Sequence, residues 1–227
     1  MITAALGLIF RDKKLLQRWV SLIGTIGLFI CSIYLLLGVT QNGIQTLQLG
    51  KWPAPFGITF ICDHLSVIML VITSIIAVVT TLYSFAEIDA EHLSFGYFPV
   101  LNLMLTGVNG AFLTGDIFNL YVWFEVILIS SFVLLSLGRE KLQIAGTLPY
   151  VIMNLISSAI FLSAVGILYS LTGALNFAEL SVRIHKMQHS GAITAVEQFF
   201  TAVALGLIAV SVIELSKLKI IKRASNR

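Results

Sequence analysis

The chain has 227 residues, of which 58% are hydrophobic and 11% charged, and its mean hydropathy is +0.97. This apolar content exceeds what a water-soluble core of that length needs, so the composition excludes a soluble globular protein and predicts a polytopic membrane protein in the lipid bilayer. The small net charge of +3 gives no basis for nucleic-acid binding.

Six apolar runs of about 20 residues are each long enough to cross the membrane as a helix. The first ten residues, MITAALGLIF, are apolar but too short to cross, and they look like the tail of a span, not a signal peptide. The predicted fold is an all-α membrane helix bundle over residues 1–216, followed by a basic tail at 217–227. The runs are Trp19–Thr40, Leu65–Ala86, Phe95–Thr114, Ile117–Leu137, Thr147–Leu171 and Val196–Leu215.

The connections between these runs carry local signals. Residues 43–62 have β-favouring residues on both sides of a turn-like KWPAP sequence and predict a small outer hairpin. Residues 87–94 form a short acidic connection. We expect Thr172–Ile193 to be an outer loop with solvated histidines at His185 and His189.

Acidic residues precede two of the spans. Asp63 and Asp116 can accept the free N–H groups at the start of a helix, so each is a predicted N-cap. The alternative for each is a part in ion entry. The sequence Thr114-Gly115-Asp116 also interrupts a long apolar stretch, which indicates that the third and fourth spans are separate helices.

The basic residues give the predicted orientation, because short loops rich in Lys and Arg stay on the cytoplasmic side. With residues 11–18 inside, eleven of the 14 basic residues are cytoplasmic, and so is the C-terminus. The exceptions are Lys51, Arg183 and Lys186. The inside set is Arg11, Lys13, Lys14, Arg18, Arg139, Lys141, Lys217, Lys219, Lys222, Arg223 and Arg227.

Neither the cysteines nor the known short motifs indicate enzymatic chemistry. Cys31 lies within a span and Cys62 beside the outer end of another, and the chain has no CxxC or His/Cys cluster with metal-ligand spacing. Phosphate-binding and serine-nucleophile motifs are missing from the sequence as well. We therefore expect no metal site and no cofactor.

Glu125 lies within the apolar run YVWFEVILISSFVLL, about 12 Å from the start of the span. An acidic side chain at that depth costs on the order of a few kcal/mol, and such residues commonly mark a proton or ion pathway. The alternative is a wetted residue near the interface, or a neutral group that hydrogen-bonds between helices.

Two spans carry polar residues at helical spacing. Asn102, Thr106 and Asn109 share one face of the third span, and Tyr150, Asn154 and Ser157 share one face of the fifth. These residues are candidates for an ion pathway if they hold water near Glu125. The alternative is that they join neighbouring helices by hydrogen bonds, which is common in membrane proteins.

Residues 115–138, GDIFNLYVWFEVILISSFVLLSLG, closely resemble the D subunit of the multi-subunit Mrp-type Na+/H+ antiporters, which are relatives of the proton-pumping membrane subunits of respiratory complex I. The resemblance covers roughly residues 11 to 190. Three further stretches agree, namely LGKWPAPFGITFICDHLS at 49–66, PYVIMNLISSAIFLSAVGILY at 149–169 and GALNFAELS at 173–181.

This resemblance implies that Glu125 is essential for proton translocation, together with a lysine on a later helix. The last span here, FFTAVALGLIAVSVIELS, has no such lysine, and the family continues for about seven more spans. The sequence therefore indicates the amino-terminal part of such a subunit, and we expect a truncated, frameshifted or split product.

The resemblance implies a secondary transporter subunit of a bacterial cell membrane, not an enzyme. Its expected partners are the other membrane subunits of the complex, and its expected transported ions are Na+ and H+. Two alternatives stay open, namely a proton-pumping subunit of a complex I-like or hydrogenase-like complex, and an inactive structural fragment.

Overall fold

The computed structural model describes residues 1–10, 13–52, 57–138, 141–189 and 203. These residues form helices joined by short connections and one two-stranded sheet, and the chain divides into two compact units, Met1–Thr147 and Leu148–Arg227. In chain order the elements are α1 (Ile2–Ile9), α2 (Lys14–Asn42), β1 (Gln45–Gln48), a 3-10 turn (Leu49–Lys51), β2 (Thr59–Cys62), α3 (His64–Glu87), α4 (Ala90–Ser94), α5 (Tyr97–Leu113), α6 (Ile117–Leu135), α7 (Lys141–Thr172) and α8 (Phe177–His189).

Long apolar helices dominate the described part of the chain, which confirms the predicted all-α membrane fold. Helices α2, α3, α6 and α7 are each long and apolar enough to cross a bilayer. Helix α5, at 17 residues, is shorter but also apolar. The predicted sixth span, Val196–Leu215, and the tail at 217–227 lie outside the described residues, apart from the helical residue 203.

In the first unit, α2 packs along α3, α5 packs along α6, and the short α1 lies against both α2 and α5. The α2–α3 contact includes a direct hydrogen bond between the hydroxyls of Ser32 and Ser74, which are 3.0 Å apart and buried. The α3–α5 contact includes a similar bond between Ser84 and Tyr97 at 2.9 Å. Hydroxyl pairs of this kind join membrane helices where apolar contact alone does not distinguish protein from lipid.

The predicted hairpin is confirmed by the antiparallel pairing of β1 with β2, in which Gln45 lies opposite Cys62. The hairpin also contacts the connection between α5 and α6, because the Gly115 N–H donates to the Thr59 carbonyl at 2.8 Å. Phe60 forms an isolated β-bridge with Thr114 at the same place. The hairpin is therefore hydrogen-bonded to the non-helical residues that separate α5 from α6.

In the second unit, the segment predicted to be a loop at Thr172–Ile193 contains a helix, and that prediction was wrong. Helix α8 begins after Asn176, whose side chain accepts the Ala178 N–H at 3.0 Å. Leu180 is buried, while the polar residues of α8 lie mostly on other faces. The segment is amphipathic, and its low average hydropathy conceals an apolar repeat with helical spacing.

Both predicted N-caps are confirmed. The Asp63 carboxylate accepts the Ser66 N–H at 2.7 Å at the start of α3, and that of Asp116 accepts the Asn119 N–H at 2.8 Å at the start of α6. The bond from Ser66 lowers the pKa of Asp63 below its ordinary value. The ionised cap therefore stabilises the fold at neutral pH, and this stabilisation is lost as the pH falls through the pKa of the folded state.

We expect Asp63→Ala to lower the free energy of unfolding by about 1 kcal/mol at neutral pH, because α3 loses its cap. Asp63→Asn retains an oxygen acceptor and should cost less. The measurement is unfolding of the purified protein in mild detergent at several pH values, with the difference between Asp63→Ala and the unmodified chain shrinking in acid. Equal stability of the two proteins at neutral pH would contradict the cap's contribution.

Candidate functional site

The start of α6 fixes the position of Glu125 along the helix axis. The helix begins at a cap in which Asp116 accepts the Asn119 N–H, and the Asn119 side chain in turn donates to the Thr114 hydroxyl at 2.8 Å. Asp116 and Asn119 are both buried. Because this corner of the chain is held by side-chain bonds on both sides, the helix cannot slide along its axis without breaking them.

Close packing against α5 fixes the rotation of α6. The Trp123 ring covers Gly110, and a Cβ added at Gly107 would lie 2.7 Å from Ile127 Cγ1. These contacts place Trp123 and Ile127 on the α5 side of the helix. At 100° per residue, Glu125 is about 200° from Trp123 and therefore lies on the side away from α5.

Glu125 is half-buried, and its Oε1 is buried with no hydrogen-bond partner among the described residues. The phenol of Tyr121, one turn earlier on α6, hydrogen-bonds to the Glu125 side chain. Within the described ranges the only salt bridge joins Arg183 and Glu179, so Glu125 has no ion-pair partner there. Glu125 Oε1 can therefore accept a proton, or a hydrogen bond from a donor outside the described residues.

Two of the three polar residues on α5 make helix-to-helix bonds. Asn102 donates to the Ser21 hydroxyl of α2 at 2.8 Å, and Thr3 of α1 donates to Asn102 Oδ1 at 3.4 Å. Thr106 donates to the Asn102 carbonyl and accepts from the amine of Met1 at 3.0 Å. Asn102 and Thr106 thus join α5 to α1 and α2.

Asn109 differs from its neighbours on that face. Its Nδ2 donates to the Leu105 carbonyl at 2.6 Å, but its Oδ1 is buried and has no partner among the described residues. The side chain is 9% exposed. Asn109 is therefore the member of the α5 set with a hydrogen-bonding atom left over.

The two candidate residues of α7, in the second unit, also differ in whether their polar atoms are hydrogen-bonded. The Ser157 hydroxyl donates to the Met153 carbonyl of its own helix at 2.9 Å. Asn154 is buried, and its Nδ2 has no partner in the described part of the chain. Asn154 is thus the α7 candidate with an unsatisfied donor.

A polar face on α2 was not predicted from the sequence. Gln17, Ser21, Thr25 and Ser32 are each about 1% exposed, and Gln17 donates to the Gly7 carbonyl of α1 at 3.2 Å. Their spacing of four, four and seven residues is the helical repeat that could have revealed this face. It connects α2 with α1 and α5 through Gln17 and Ser21, and with α3 through Ser32.

The glycine contacts between α5 and α6 give a second testable prediction. We expect Gly107→Ala to destabilise the protein by about 1–3 kcal/mol, because the new methyl group meets both the Ile127 side chain and the α6 backbone. Gly27→Ala on α2 is the matched control, since nothing lies within 4 Å of its added Cβ. The measurement is thermal unfolding in detergent, and equal midpoints for the two variants would contradict the close α5–α6 approach.

Comparison with known proteins identifies relatives of this chain. Residues 114–215 match the sequence profile of the family described as NADH:quinone oxidoreductase/Mrp antiporter, TM. The Na(+)/H(+) antiporter D subunit of Alkalihalophilus pseudofirmus is 40% identical over 196 residues, which cover 86% of this chain and 40% of that protein. The Bacillus subtilis protein of the same name is 41% identical over 197 residues, again covering 86% of this chain and 40% of the relative. The chain thus spans about two fifths of the length of these relatives.

Two solved structures share the fold. One is the Mrp complex from a Dietzia species, with a TM-score of 0.77 and 24% identity over 91% of this chain and 38% of the matched chain. The other is the membrane-bound sulfane sulfur reductase, an archaeal respiratory membrane complex, with a TM-score of 0.75 and 25% identity over 92% of this chain and 41% of the matched chain.

Proposed function

Because this chain belongs to the NADH:quinone oxidoreductase/Mrp antiporter family of membrane subunits, we propose that it is part of a multi-subunit cation/proton antiporter in which Glu125 carries the proton. The observation that carries this proposal is that the Oε1 of Glu125, within an apolar spanning helix, is buried and has no partner in the part of the chain that the structure describes. The names of the relatives support Na+ as the exchanged cation.

The geometry supports a simple role for each group at this site. Glu125 takes up a proton on its carboxylate and releases it again later in the cycle. Tyr121 donates its hydroxyl hydrogen to the same carboxylate and so helps to orient it. The positive charge that would complete the cycle comes from outside the described residues, in this chain or in another subunit.

The proposed partners follow from the same relatives. We expect the chain to assemble with the other membrane subunits of an Mrp-type complex in a bacterial cell membrane. Many apolar side chains on α2, α3 and α7 are exposed, which suits contact with lipid and with neighbouring subunits.

A second candidate is a proton-pumping subunit of a respiratory membrane complex, which the structural likeness to the sulfane sulfur reductase favours. The sequence identity of 40% with the antiporter relative is higher than the 25% with that complex, so we place antiport first. A purely structural role is the third possibility, and the experiment on Glu125 tests it directly.

In an assembled complex that exchanges Na+ for H+, we expect Glu125→Gln to abolish exchange, because it keeps the size of the side chain but removes its proton-binding group. Glu125→Asp should retain part of the activity. The measurement is Na+-dependent proton movement in everted membrane vesicles, together with co-purification of the other subunits to verify assembly.

The matched control is Glu91→Gln in α4, an exposed acid outside the spanning helices, which should leave exchange unchanged. Normal exchange by an assembled Glu125→Gln complex would rule out the proton-carrying role. Loss of both exchange and assembly would instead assign Glu125 a structural role.

We also propose that the C-terminal tail is cytoplasmic, because five basic residues follow the last apolar run. Alkaline phosphatase fused after Arg227 should be inactive, since that enzyme needs the oxidising exterior to fold. A fluorescent protein fused at the same position should be bright. Strong phosphatase activity would reverse the proposed orientation.

A further inference from the structure

Glu125 has different kinds of neighbour on the two sides of it along α6. Toward the start of the helix, the residue one turn away on the same face is Tyr121, whose phenol hydrogen-bonds to the Glu125 side chain. Toward the end of the helix, the residues three and four positions later are Leu128 and Ile129, which are both apolar. On its own helix face, Glu125 therefore adjoins a group that can exchange a proton only on the side where α6 begins.

Two serines follow on α6, but neither extends a polar path from Glu125. Ser130 and Ser131 are five and six residues later, so at 100° per residue they are about 140° and 120° away from Glu125 around the helix. The Ser130 hydroxyl donates to the Val126 carbonyl at 2.7 Å, and the Ser131 hydroxyl donates to the Leu128 carbonyl at 2.8 Å. Both hydroxyls thus bond to the backbone of their own helix.

The elements that contact α6 supply no other proton-exchanging group on the Glu125 side. The only titratable residue of α5 is Tyr97, whose hydroxyl bonds to Ser84 of α3 at 2.9 Å. The only titratable residue of β2 is Cys62. Helix α5 and strand β2 both contact α6 at Trp123, which is about 200° from Glu125 around the helix.

Tyr121 also lies at a suitable position between the start of the helix and Glu125. Along the helix axis it is about 6 Å from Ile117, the first residue of α6, and Glu125 is about 12 Å from the same residue. The ring of Phe118 lies 6.1 Å from that of Tyr121 and is tilted by 36° to it. This ring contact limits the directions that the phenol can take.

The two oxygens of the Glu125 carboxylate have different surroundings. Oε1 is buried and has no partner among the residues that the structure describes. The hydrogen bond from Tyr121 is therefore to the other oxygen, Oε2. A phenol hydroxyl can donate one hydrogen bond and accept another at the same time, which is the property that a proton relay needs.

We propose that Tyr121 is a proton-relay residue, which delivers protons to Glu125 from the side on which α6 begins. This inference rests on the proposed role of Glu125 as the proton carrier. In the relay step the Tyr121 O–H bond breaks as its proton moves to Glu125 Oε2, and the phenol oxygen forms a new O–H bond with a proton taken from hydronium. Tyr121 is again a neutral phenol, no electrons are exchanged, and one proton has moved from water to Glu125.

Tyr121→Phe tests the relay in an assembled complex, because it keeps the ring that contacts Phe118 and removes only the hydroxyl. We expect Na+-dependent proton movement in everted vesicles to become at least about tenfold slower at alkaline pH. The loss should shrink as the pH falls, because a higher proton concentration offsets slower delivery. The Na+ concentration for half-maximal exchange should stay unchanged.

Tyr121→His gives a second measurement, because an imidazole also donates and accepts protons. It should regain part of the rate that Tyr121→Phe loses, whereas Tyr121→Leu should not. The matched control is Tyr83→Phe on α3, a tyrosine that is 66% exposed, and it should leave both the rate and its pH dependence unchanged. Co-purification of the other subunits verifies the assembly of each variant.

A loss of exchange by the same factor at every pH in Tyr121→Phe, with no gain in Tyr121→His, would overturn the relay in favour of a packing role. Glu125→Gln in the same vesicles separates this inference from the proposed function. Normal exchange by Glu125→Gln would remove the proton-carrying role itself. Abolished exchange in Glu125→Gln, together with an unchanged rate and pH dependence in Tyr121→Phe, would overturn the relay alone.

Discussion

A hydroxyl or amide inside hydrocarbon has no bulk water to bond, and this constraint organises most of the polar residues in the spans. Many serine and threonine hydroxyls donate to a carbonyl three or four residues earlier in the same helix, as Ser130 does to Val126 at 2.7 Å. Others join two helices, as Ser32 and Ser74 do. Two buried oxygens, Glu125 Oε1 and Asn109 Oδ1, differ from these because they have no partner among the residues that the structure describes.

The helix that carries Glu125 is itself held by hydrogen bonds and by close packing. Helix α6 begins at the Asp116 cap and is set against α5 by the contacts at Gly107 and Gly110. The cap fixes the position of Glu125 along the helix axis, and the glycine contacts fix the direction of its side chain. The cap and the glycine contacts thus determine where Glu125 Oε1 lies.

Much of this fold could be predicted from the sequence because the relevant signals are local. Apolar runs set the spans, and Asp63 and Asp116 mark helix starts because a capping carboxylate needs only the N–H groups a few residues ahead. Helix α8 was missed because its average hydropathy is that of a loop, although its apolar residues have helical spacing. An average over the segment discards this periodic information.

The site was predictable in part for the same reason. Glu125 stands out in its apolar run, and the spacing of four residues to Tyr121 would have indicated their contact on one helix face. The contacts between helices are different, because they join residues that are far apart in the chain, as Asn102 and Ser21 are. Which polar atoms meet across these contacts depends on helix rotation, and the rotation is set by pairs such as Gly110 and Trp123.

The connection between the hairpin and α6 has a mechanical consequence. The Thr59 carbonyl holds the Gly115 N–H, and the ring of Phe60 lies 6.4 Å from that of Trp123. The hairpin therefore contacts the chain just before α6 begins and again about two turns into the helix. A displacement of the hairpin, by a bound antibody fragment or a neighbouring subunit, would therefore act on α6 at two points and not only at its start.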